Sequence, residues 1–388
     1  MLVDLSEDQE LFRETTVRFI ETELPIDRTR HLHDDPVGYD RGWLRKAAEL
    51  GWFTLLVPEE LGGGSISGEG LLDAALVAEQ LGRFVQPGPF LPMNVVAAAL
   101  AAHGTDAQRA ERLPGLIAGT EVATWAWADA AGDWDGGAGV RAERDGSAVA
   151  LTGVRGVVQD AGSADWLLVA ATLDGEPVQV IVPTDGPGVA VAPRTALDLG
   201  RRFADVRLEG AVVGADAVLA GRGPEPLEAQ LQRALVLVLA ETVGAADALL
   251  AMTVSYAKDR VAFGRPVGSF QAIKHLLADQ ALAVEACKAA AGAAARAVQA
   301  GDPAAPEVVS MAAAAVGERA PEVAQQCLQV HGGIGYTWEH DLHLFLRRIQ
   351  SNSALYGEAS WHRERVCRFH ELGGERGGVE RATTGEAG

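Results

Sequence analysis

Two short segments of the chain combine residue types that bind the diphosphate of a nucleotide. The first, DRVAFGRPVGSFQ, places Arg260 and Phe263 shortly before Phe270 and Gln271. An arginine presents a planar fork of donors to phosphate oxygens, aromatic rings can wall a heteroaromatic ring, and a carboxamide can hydrogen-bond to it. This segment therefore predicts a dinucleotide site.

The second segment, QVHGGIGYTWE, contains glycines whose backbone is not covered by side chains. Gln329 offers a further amide, and Gly332 and Gly333 carry no Cβ atom, so their N–H groups can approach a diphosphate closely. Taken singly, each segment also fits a plain structural role, with Arg260 at a helix C-terminus and the glycines in an interhelical turn. Taken jointly, the two segments favour the nucleotide site.

The elements that must position these segments follow from hydrophobic periodicity and turn residues. Helical patterns fill the first third of the chain, interrupted by the loop VPEELGGG. Short alternating runs around Asp145-Gly146 and Asp174-Gly175 indicate strand hairpins. Long apolar helical runs with short connections follow. We predict a mainly helical α+β protein with an N-terminal α-helical domain (1–120), a small middle β-barrel or sandwich (121–218), a C-terminal four-helix bundle (219–372) and a disordered tail (373–388).

Three local features add detail to this outline. Ser6 and Gln9 form a capping-box pattern that predicts the start of the first helix. The run LVLVLAETVGAADALLAM contains Glu241 and Asp247, so it predicts a buried helix rather than a membrane span. Pro321 lies inside a helical run, which it should kink or restart.

Composition and charge argue against several classes of function. The 388 residues carry a net charge of -20 at pH 7, from 53 acidic and 33 basic side chains. This balance argues against nucleic acid or an anionic membrane as a partner. Cys287, Cys327 and Cys367 form no CxxC pair, so we expect no zinc or redox motif. The N-terminus MLVDLSEDQE shows no signal-peptide pattern, and we expect a cytoplasmic protein.

Both nucleotide segments resemble segments of the acyl-CoA dehydrogenase family, Arg-x-x-Phe-Gly and Gln-x-x-Gly-Gly-x-Gly. The loop VPEELGGG resembles the family's Pro-Glu-x-x-Gly-Gly element, and the order of helices, strands and helices is similar, so the resemblance covers nearly the whole chain. It implies that the protein binds FAD, and that both segments reach the FAD of a neighbouring subunit in an oligomer, a dimer of dimers. The implied FAD contacts are Arg260, Phe263, Phe270, Gln271, Gln329, Gly332 and Gly333.

The resemblance also implies a reaction. Family members oxidise an acyl-CoA (or acyl-carrier) thioester to the α,β-enoyl form: a glutamate removes the α proton, and the β carbon passes a hydride to the flavin N5. An electron-transfer flavoprotein then takes the electrons. Because the α C–H is weakly acidic, the site must stabilise developing enolate charge at the thioester oxygen.

Two glutamates are candidates for the base, and neither stands in the family's usual place. The usual base lies in a Tyr-Glu-Gly step, and its slot falls here on Tyr356 or Gly357, one or two residues before Glu358. On a helix that offset turns a side chain by about 100° to 200°. Alternatively, Glu358 is an ordinary helix N-terminal acid. The second candidate, Glu241, lies two turns beyond Ala234, where some relatives carry the base, and alternatively belongs to a buried ion pair.

The middle domain also departs from the family pattern. Val157 stands where a tryptophan is expected against the flavin, and Gln159 replaces a threonine. Trp125 and Trp127 are either substitutes that cover the ring or ordinary core residues. Two alternatives therefore stay open: a catalytically incomplete partner subunit of a heteromeric acyl-CoA dehydrogenase, as in certain bacterial relatives, or a flavin oxidase or monooxygenase of the same fold.

Overall fold

The N-terminal part of the protein is built from helices, in a computed structural model that describes residues 5–132, 134 and 139–374. The first helix begins where the sequence predicts. The Ser6 side chain accepts a hydrogen bond from Gln9 N–H, and the Gln9 side chain accepts one from Ser6 N–H, both at 3.2 Å. The helices are α1 (Glu7–Glu23), α2 (Ile26–His31), α3 (Arg41–Glu49), α4 (Gly70–Arg83), α5 (Phe90–His103) and α6 (Asp106–Ile117).

The middle part is a seven-stranded sheet whose hairpin turns stand where the sequence predicts them. The first turn contains Gly146 at φ +60°, and the second contains Asp174 at φ +56° and Gly175 at φ +85°. Left-handed turns of this kind match the twist of two paired strands, and Asp-Gly tolerates them. The strands are β1 (Ala123–Ala126), β2 (Val140–Asp145), β3 (Ala148–Gln159), β4 (Trp166–Leu173), β5 (Glu176–Pro183), β6 (Val189–Arg194) and β7 (Phe203–Gly214).

The sheet is curled, but it does not close into the predicted barrel. Its strand order is β1-β4-β2-β3-β7-β6, and β5 pairs with β4. Among the described residues β6 pairs only with β7, and most of its side chains are exposed. Pro193 within β6 has no N–H to offer a further strand. The sheet is therefore a half-barrel with an open edge.

The C-terminal part consists of helices gathered around α7. These elements are α7 (Pro224–Asp259), the short strands β8 (Val261–Ala262) and β9 (Arg265–Pro266), α8 (Gln271–Gln299), α9 (Ala305–His331), α10 (Leu342–Asn352) and α11 (Ala359–Gly374). Helix α7 is long and apolar enough to cross a membrane, yet 78% of its most apolar window is buried inside the protein. The prediction of a buried helix is therefore confirmed.

Helix α7 packs so closely against α4 that their backbones touch at two glycines. A Cβ atom at Gly82 would overlap the backbone carbonyl of Glu241, and one at Gly244 would overlap that of Glu79. Only glycine fits at such crossings. The contact joins the N-terminal helices to the C-terminal ones and holds Glu241 beside α4.

The structure refines two expectations for the C-terminal part. Helix α9 continues through Pro321 as one element, so no new helix starts there, and a kink at Pro321 stays a prediction. Helix α11 runs to Gly374, so residues 373 and 374 of the predicted tail are helical, while residues 375–388 lie outside the described residues. The finer description as a four-helix bundle stays a prediction.

Candidate functional site

The first nucleotide segment is a tight hairpin between two long helices. Helix α7 ends at Asp259, and Arg260 N–H still donates to the carbonyl of Tyr256 at 2.8 Å. The chain then turns at Phe263 (φ +53°) and Gly264 (φ +77°), between the paired strands β8 and β9. This turn holds the phenyl ring of Phe263 out from the surface, 95% exposed. The hairpin thus explains why the helical region is interrupted here.

An arginine that sequence analysis did not single out completes this hairpin. The guanidinium of Arg265 lies 3.9 Å from the ring centroid of Phe270, a cation–π arrangement. The rings of Phe263 and Phe270 meet edge to face at 6.2 Å. Arg260 and Gln271 are exposed beside them. The hairpin therefore presents two guanidinium groups and two rings to a ligand.

The second nucleotide segment adjoins the first through a ring stack. The rings of Tyr256 and His331 stack with centroids 4.4 Å apart, and the Tyr256 hydroxyl donates to the His331 carbonyl at 3.3 Å. Tyr256 lies one turn before Arg260, and His331 directly precedes Gly332. The fold therefore brings both predicted segments to one end of the C-terminal helices.

The surface made by both segments fits the diphosphate half of FAD. Gly332 adopts φ +62°, which favours glycine, and a Cβ atom at Gly332 or Gly333 would meet no atom within 4 Å. Open backbone of this kind suits phosphate oxygens, and the exposed Arg260 lies one helical turn beyond Tyr256, which stacks on His331. Gln329 is also exposed. The predicted FAD contacts are therefore accessible together.

Two cavities lie between the half-barrel and the C-terminal helices, and none of the predicted FAD contacts lines either one. The first, about 640 Å³, includes Val157, the position where a flavin-facing tryptophan is expected, and Glu358. The second, about 590 Å³, is mostly apolar, with two arginines on one side. Its lining residues include Leu227, Leu231, Phe369, Arg365 and Arg368.

A cluster of aromatic side chains separates the two cavities. Trp134 and Trp361 line both of them. The ring of Trp134 lies 5.0 Å from that of Tyr356, and Trp125 stacks on the same tyrosine at 6.0 Å. Trp127 lies 4.9 Å from Trp125 and donates its indole N–H to the Trp134 carbonyl at 3.1 Å. Trp125 and Trp127 are thus buried parts of a wall, which favours their role as core residues.

The slot of the family's base is closed in this chain. Gly357 adopts φ +114°, a conformation that side chains rarely accept, and its added Cβ atom would lie 3.0 Å from Cζ3 of Trp361. The neighbouring Tyr356 is buried. Glu358 is exposed, and its carbonyl accepts the N–H of His362 at 3.1 Å in the first turn of α11. Glu358 therefore lies at a helix N-terminus, on the rim of the first cavity.

Glu241, the second candidate base, belongs to a buried ion network. Its carboxylate accepts bonds from Arg201 and from Arg348, whose side chain is fully buried. Arg348 also pairs with Asp198, and Asn352 donates to Thr242 at 3.0 Å. Burial alone would raise the pKa of Asp198, but the charges of Arg348 and Arg201 hold it below its ordinary value. Two guanidinium groups therefore occupy the Glu241 carboxylate, as in a structural ion pair.

This network joins the three parts of the protein. Asp198 and Arg201 come from the segment between β6 and β7, Glu241 from α7, and Arg348 from α10; Arg348 also donates to the carbonyl of Gln86, between α4 and α5, at 3.0 Å. The roles of Arg201 and Arg348 as partners of Glu241 were not predicted from the sequence. The signal was present in the run LFLRRI, since an arginine flanked by apolar residues must find an acid.

Asp160, directly after β3, should make the protein less stable above pH 6. Burial raises the pKa of Asp160 to about 6, although Gln159 donates to its carboxylate at 3.0 Å. The stabilisation from the neutral form is complete below about pH 3.8 and is lost as the pH rises through about 6. We expect Asp160→Asn to raise the free energy of unfolding by about 1–3 kcal/mol at pH 8 and by little at pH 4.5.

Denaturant titrations at the two pH values would check this result. Asparagine tolerates the φ of +54° at position 160. Asp174→Asn is a matched control, because Asp174 has nearly the same φ but an exposed side chain paired with Arg144. An equal gain at both pH values for Asp160→Asn would contradict the assignment.

Comparison with protein families gives two matches that together span most of the chain. The family model "Acyl-CoA dehydrogenase, N-terminal domain" matches residues 6–120, and "Acyl-CoA dehydrogenase, C-terminal domain" matches residues 221–370. Among curated proteins, acyl-CoA dehydrogenase IpdE2 of Mycolicibacterium smegmatis is 32% identical over 358 residues, which are 91% of this chain and 96% of that protein.

Solved structures agree with this match over nearly the full length. A chain of the ChsE4-ChsE5 complex from Mycobacterium tuberculosis superposes with a TM-score of 0.88 at 27% identity, covering 96% of this chain and 99% of that one. Butyryl-CoA dehydrogenase from Megasphaera elsdenii superposes with a TM-score of 0.88 at 24% identity, covering 96% and 100%. At 24% identity, the likeness to butyryl-CoA dehydrogenase supports a shared fold and nothing further.

Proposed function

The chain belongs to the acyl-CoA dehydrogenase family of FAD-dependent oxidoreductases acting on CH–CH bonds, and we propose that it serves the α,β-dehydrogenation of an acyl-CoA thioester as one subunit of an oligomer. In this role its two nucleotide segments hold the diphosphate of the FAD bound by a neighbouring subunit. The proposal includes a four-helix bundle for the C-terminal helices, a dimer of dimers, and an electron-transfer flavoprotein as electron acceptor.

The observation that carries this proposal is the exposed surface formed by both nucleotide segments. Phe263 is 95% exposed, and the backbone at Gly332 and Gly333 faces open space. An aromatic ring that a tight hairpin holds outward offers a flat apolar surface to a ligand. Since these residues line neither cavity between the half-barrel and the helices, a neighbouring subunit's nucleotide is the ligand that suits them.

The second cavity suits the thioester. Its apolar walls, including Leu227, Leu231 and Phe369, accept the pantetheine chain of CoA, and Arg368, 3.5 Å from the exposed Glu364, offers a guanidinium to the anionic phosphates. Arg365 is already paired with Glu228 at 2.7 Å, so it shapes the cavity rather than offering a free charge. Bound FAD supplies the acceptor for the hydride that leaves the β carbon.

The missing base favours a mixed assembly in which a paralogous subunit provides the carboxylate. Gly357 leaves no room for a side chain, Glu241 is neutralised by two arginines, and Glu358 is exposed on the rim of the other cavity. This chain then completes the FAD site of its partner. The specific observation behind this second step is the closed slot at Gly357.

The experiment that tests the proposal compares two samples: the purified chain alone, and the chain mixed with a paralogous subunit. Flavin absorbance is recorded before and after anaerobic addition of a panel of acyl-CoA thioesters. We expect no bleaching by the chain alone and bleaching by the mixture. Absence of flavin and of bleaching in every mixture would contradict the proposal, and full bleaching by the chain alone would contradict the mixed assembly.

Replacing Glu358 by glutamine should change the bleaching rate of the active assembly by less than about threefold, because the side chain is exposed at a helix N-terminus. Rapid-scan absorbance under anaerobic conditions measures this rate. Glu143→Gln, an exposed change on β2 that touches neither cavity, is the matched control. Loss of bleaching in Glu358→Gln alone would make Glu358 the base after all.

A further inference from the structure

We propose that the indole of Trp361 plugs this subunit's own thioester passage, by filling the space in front of Gly357 and closing the wall between the two cavities. The proposal rests on the proposed function, since it concerns the thioester cavity of the same fold. It assigns to one side chain the reason why this subunit's own site does not pass an acyl group to a flavin.

The first support is the packing at Gly357. A Cβ atom there would lie 3.0 Å from Cζ3 of Trp361, closer still to Cε3, and 3.1 Å from Nε2 of His362. Both rings are thus in contact with the place where a side chain would start. Burial lowers the pKa of His362 to about 4, so this imidazole is neutral near pH 7 and acts as part of the filling.

The second support is the position of Trp361 in the wall. Trp361 and Trp134 are the two side chains that line both cavities. Trp134 is itself held against Tyr356, 5.0 Å between ring centroids, and by the indole N–H of Trp127. An acyl chain that enters from the second cavity therefore meets two indoles before it reaches Val157 and the first cavity.

The third support is a clamp that keeps Trp361 in place. The guanidinium of Arg365 lies 4.9 Å from the Trp361 ring centroid, on the side of the second cavity. Arg365 is fixed in turn by Glu228 of α7, at 2.7 Å. A cation–π contact anchored by an ion pair holds the indole across the passage. Removing the indole would join the two cavities.

Isothermal titration of the purified full chain with CoA and with octanoyl-CoA tests the plug without requiring turnover. In the wild type we expect the two dissociation constants to agree within about threefold, because the acyl chain cannot pass the wall. In Trp361→Ala we expect octanoyl-CoA to bind at least about tenfold more tightly than CoA, a factor that burial of a few methylenes supplies. Trp361→Phe, which keeps a ring in place, is the matched control and should resemble the wild type.

Several outcomes would overturn the plug. Wild-type protein that already binds octanoyl-CoA tenfold more tightly than CoA would do so, even if the alanine variant failed to fold. An unchanged ratio in a folded Trp361→Ala variant, or no binding of either ligand by any variant, would also do so. Failure of the proposed function is distinguishable, because it appears as a lack of flavin bleaching in all mixtures, which this titration does not measure.

Discussion

The Arg260→Ala variant is expected to lose FAD from the oligomer while each subunit keeps its fold. The Arg260 side chain is exposed at the end of the C-terminal helices that also carries the open backbone of Gly332 and Gly333, and its guanidinium can bind phosphate oxygens in a bidentate manner. Hydrogen bonds to charged groups contribute about 1.5–3 kcal/mol each, so we expect FAD affinity to fall by about 100-fold. Flavin absorbance of the purified oligomer, and titration with FAD, measure the loss.

Two further variants sharpen this prediction. Arg260→Lys keeps the charge but not the planar fork, so we expect an intermediate loss. Arg207→Ala removes an exposed arginine of β7, far along the chain from both nucleotide segments, and should keep its FAD. Full FAD retention by Arg260→Ala would contradict the assignment of this segment to the diphosphate.

The Arg348→Met variant should be destabilised by about 3–5 kcal/mol, the usual cost of breaking a buried ion pair from one side. Arg348 is fully buried and binds Asp198, Glu241 and the carbonyl of Gln86. Its removal leaves Asp198 without its ion-pair partner and Glu241 with Arg201 alone, in a region of low dielectric constant. Equilibrium unfolding in urea measures the change, and we expect the three parts of the protein to come apart more readily.

The neighbouring residue provides the matched control for this change. Arg347→Met removes a guanidinium at the surface that donates to the carbonyl of Leu197 at 3.2 Å. We therefore expect the free energy of unfolding to change by less than about 1 kcal/mol. Similar stabilities for the two variants would show that the buried network contributes little to folding.

Much of the fold could be predicted because its signals are local. The capping box at Ser6 and the Asp-Gly steps at 145–146 and 174–175 act through backbone conformations of a few residues, and all three stand where expected. Closure of the barrel was predicted wrongly, because whether β6 finds a second partner depends on residues far apart in the chain. For Pro321 the sequence left a kink or a restart open, and the structure excludes the restart, because α9 is one continuous helix packed on its neighbours.

The candidate site likewise has a part that local sequence predicts and a part that depends on distant residues. The nucleotide segments could be proposed because each holds its chemistry in a few consecutive residues. The structure brings them together through the stack of Tyr256 on His331, and their contact with FAD stays a prediction. The base was not readable. Glu241 looked exceptional in an apolar helix, but only the structure reveals the arginines that neutralise it, and these come from the segment after β6 and from α10.

By itself, the sequence determined the family, the order of the elements and the two nucleotide segments proposed for FAD, because these depend on residue types at short spacing. Only the tertiary structure decided that Trp134 and Trp361 line the same two cavities, and that Glu241 lies between Arg201 and Arg348. Steric closure and ion pairing depend on distances between residues that are remote in the chain, and no spacing within the sequence records those distances.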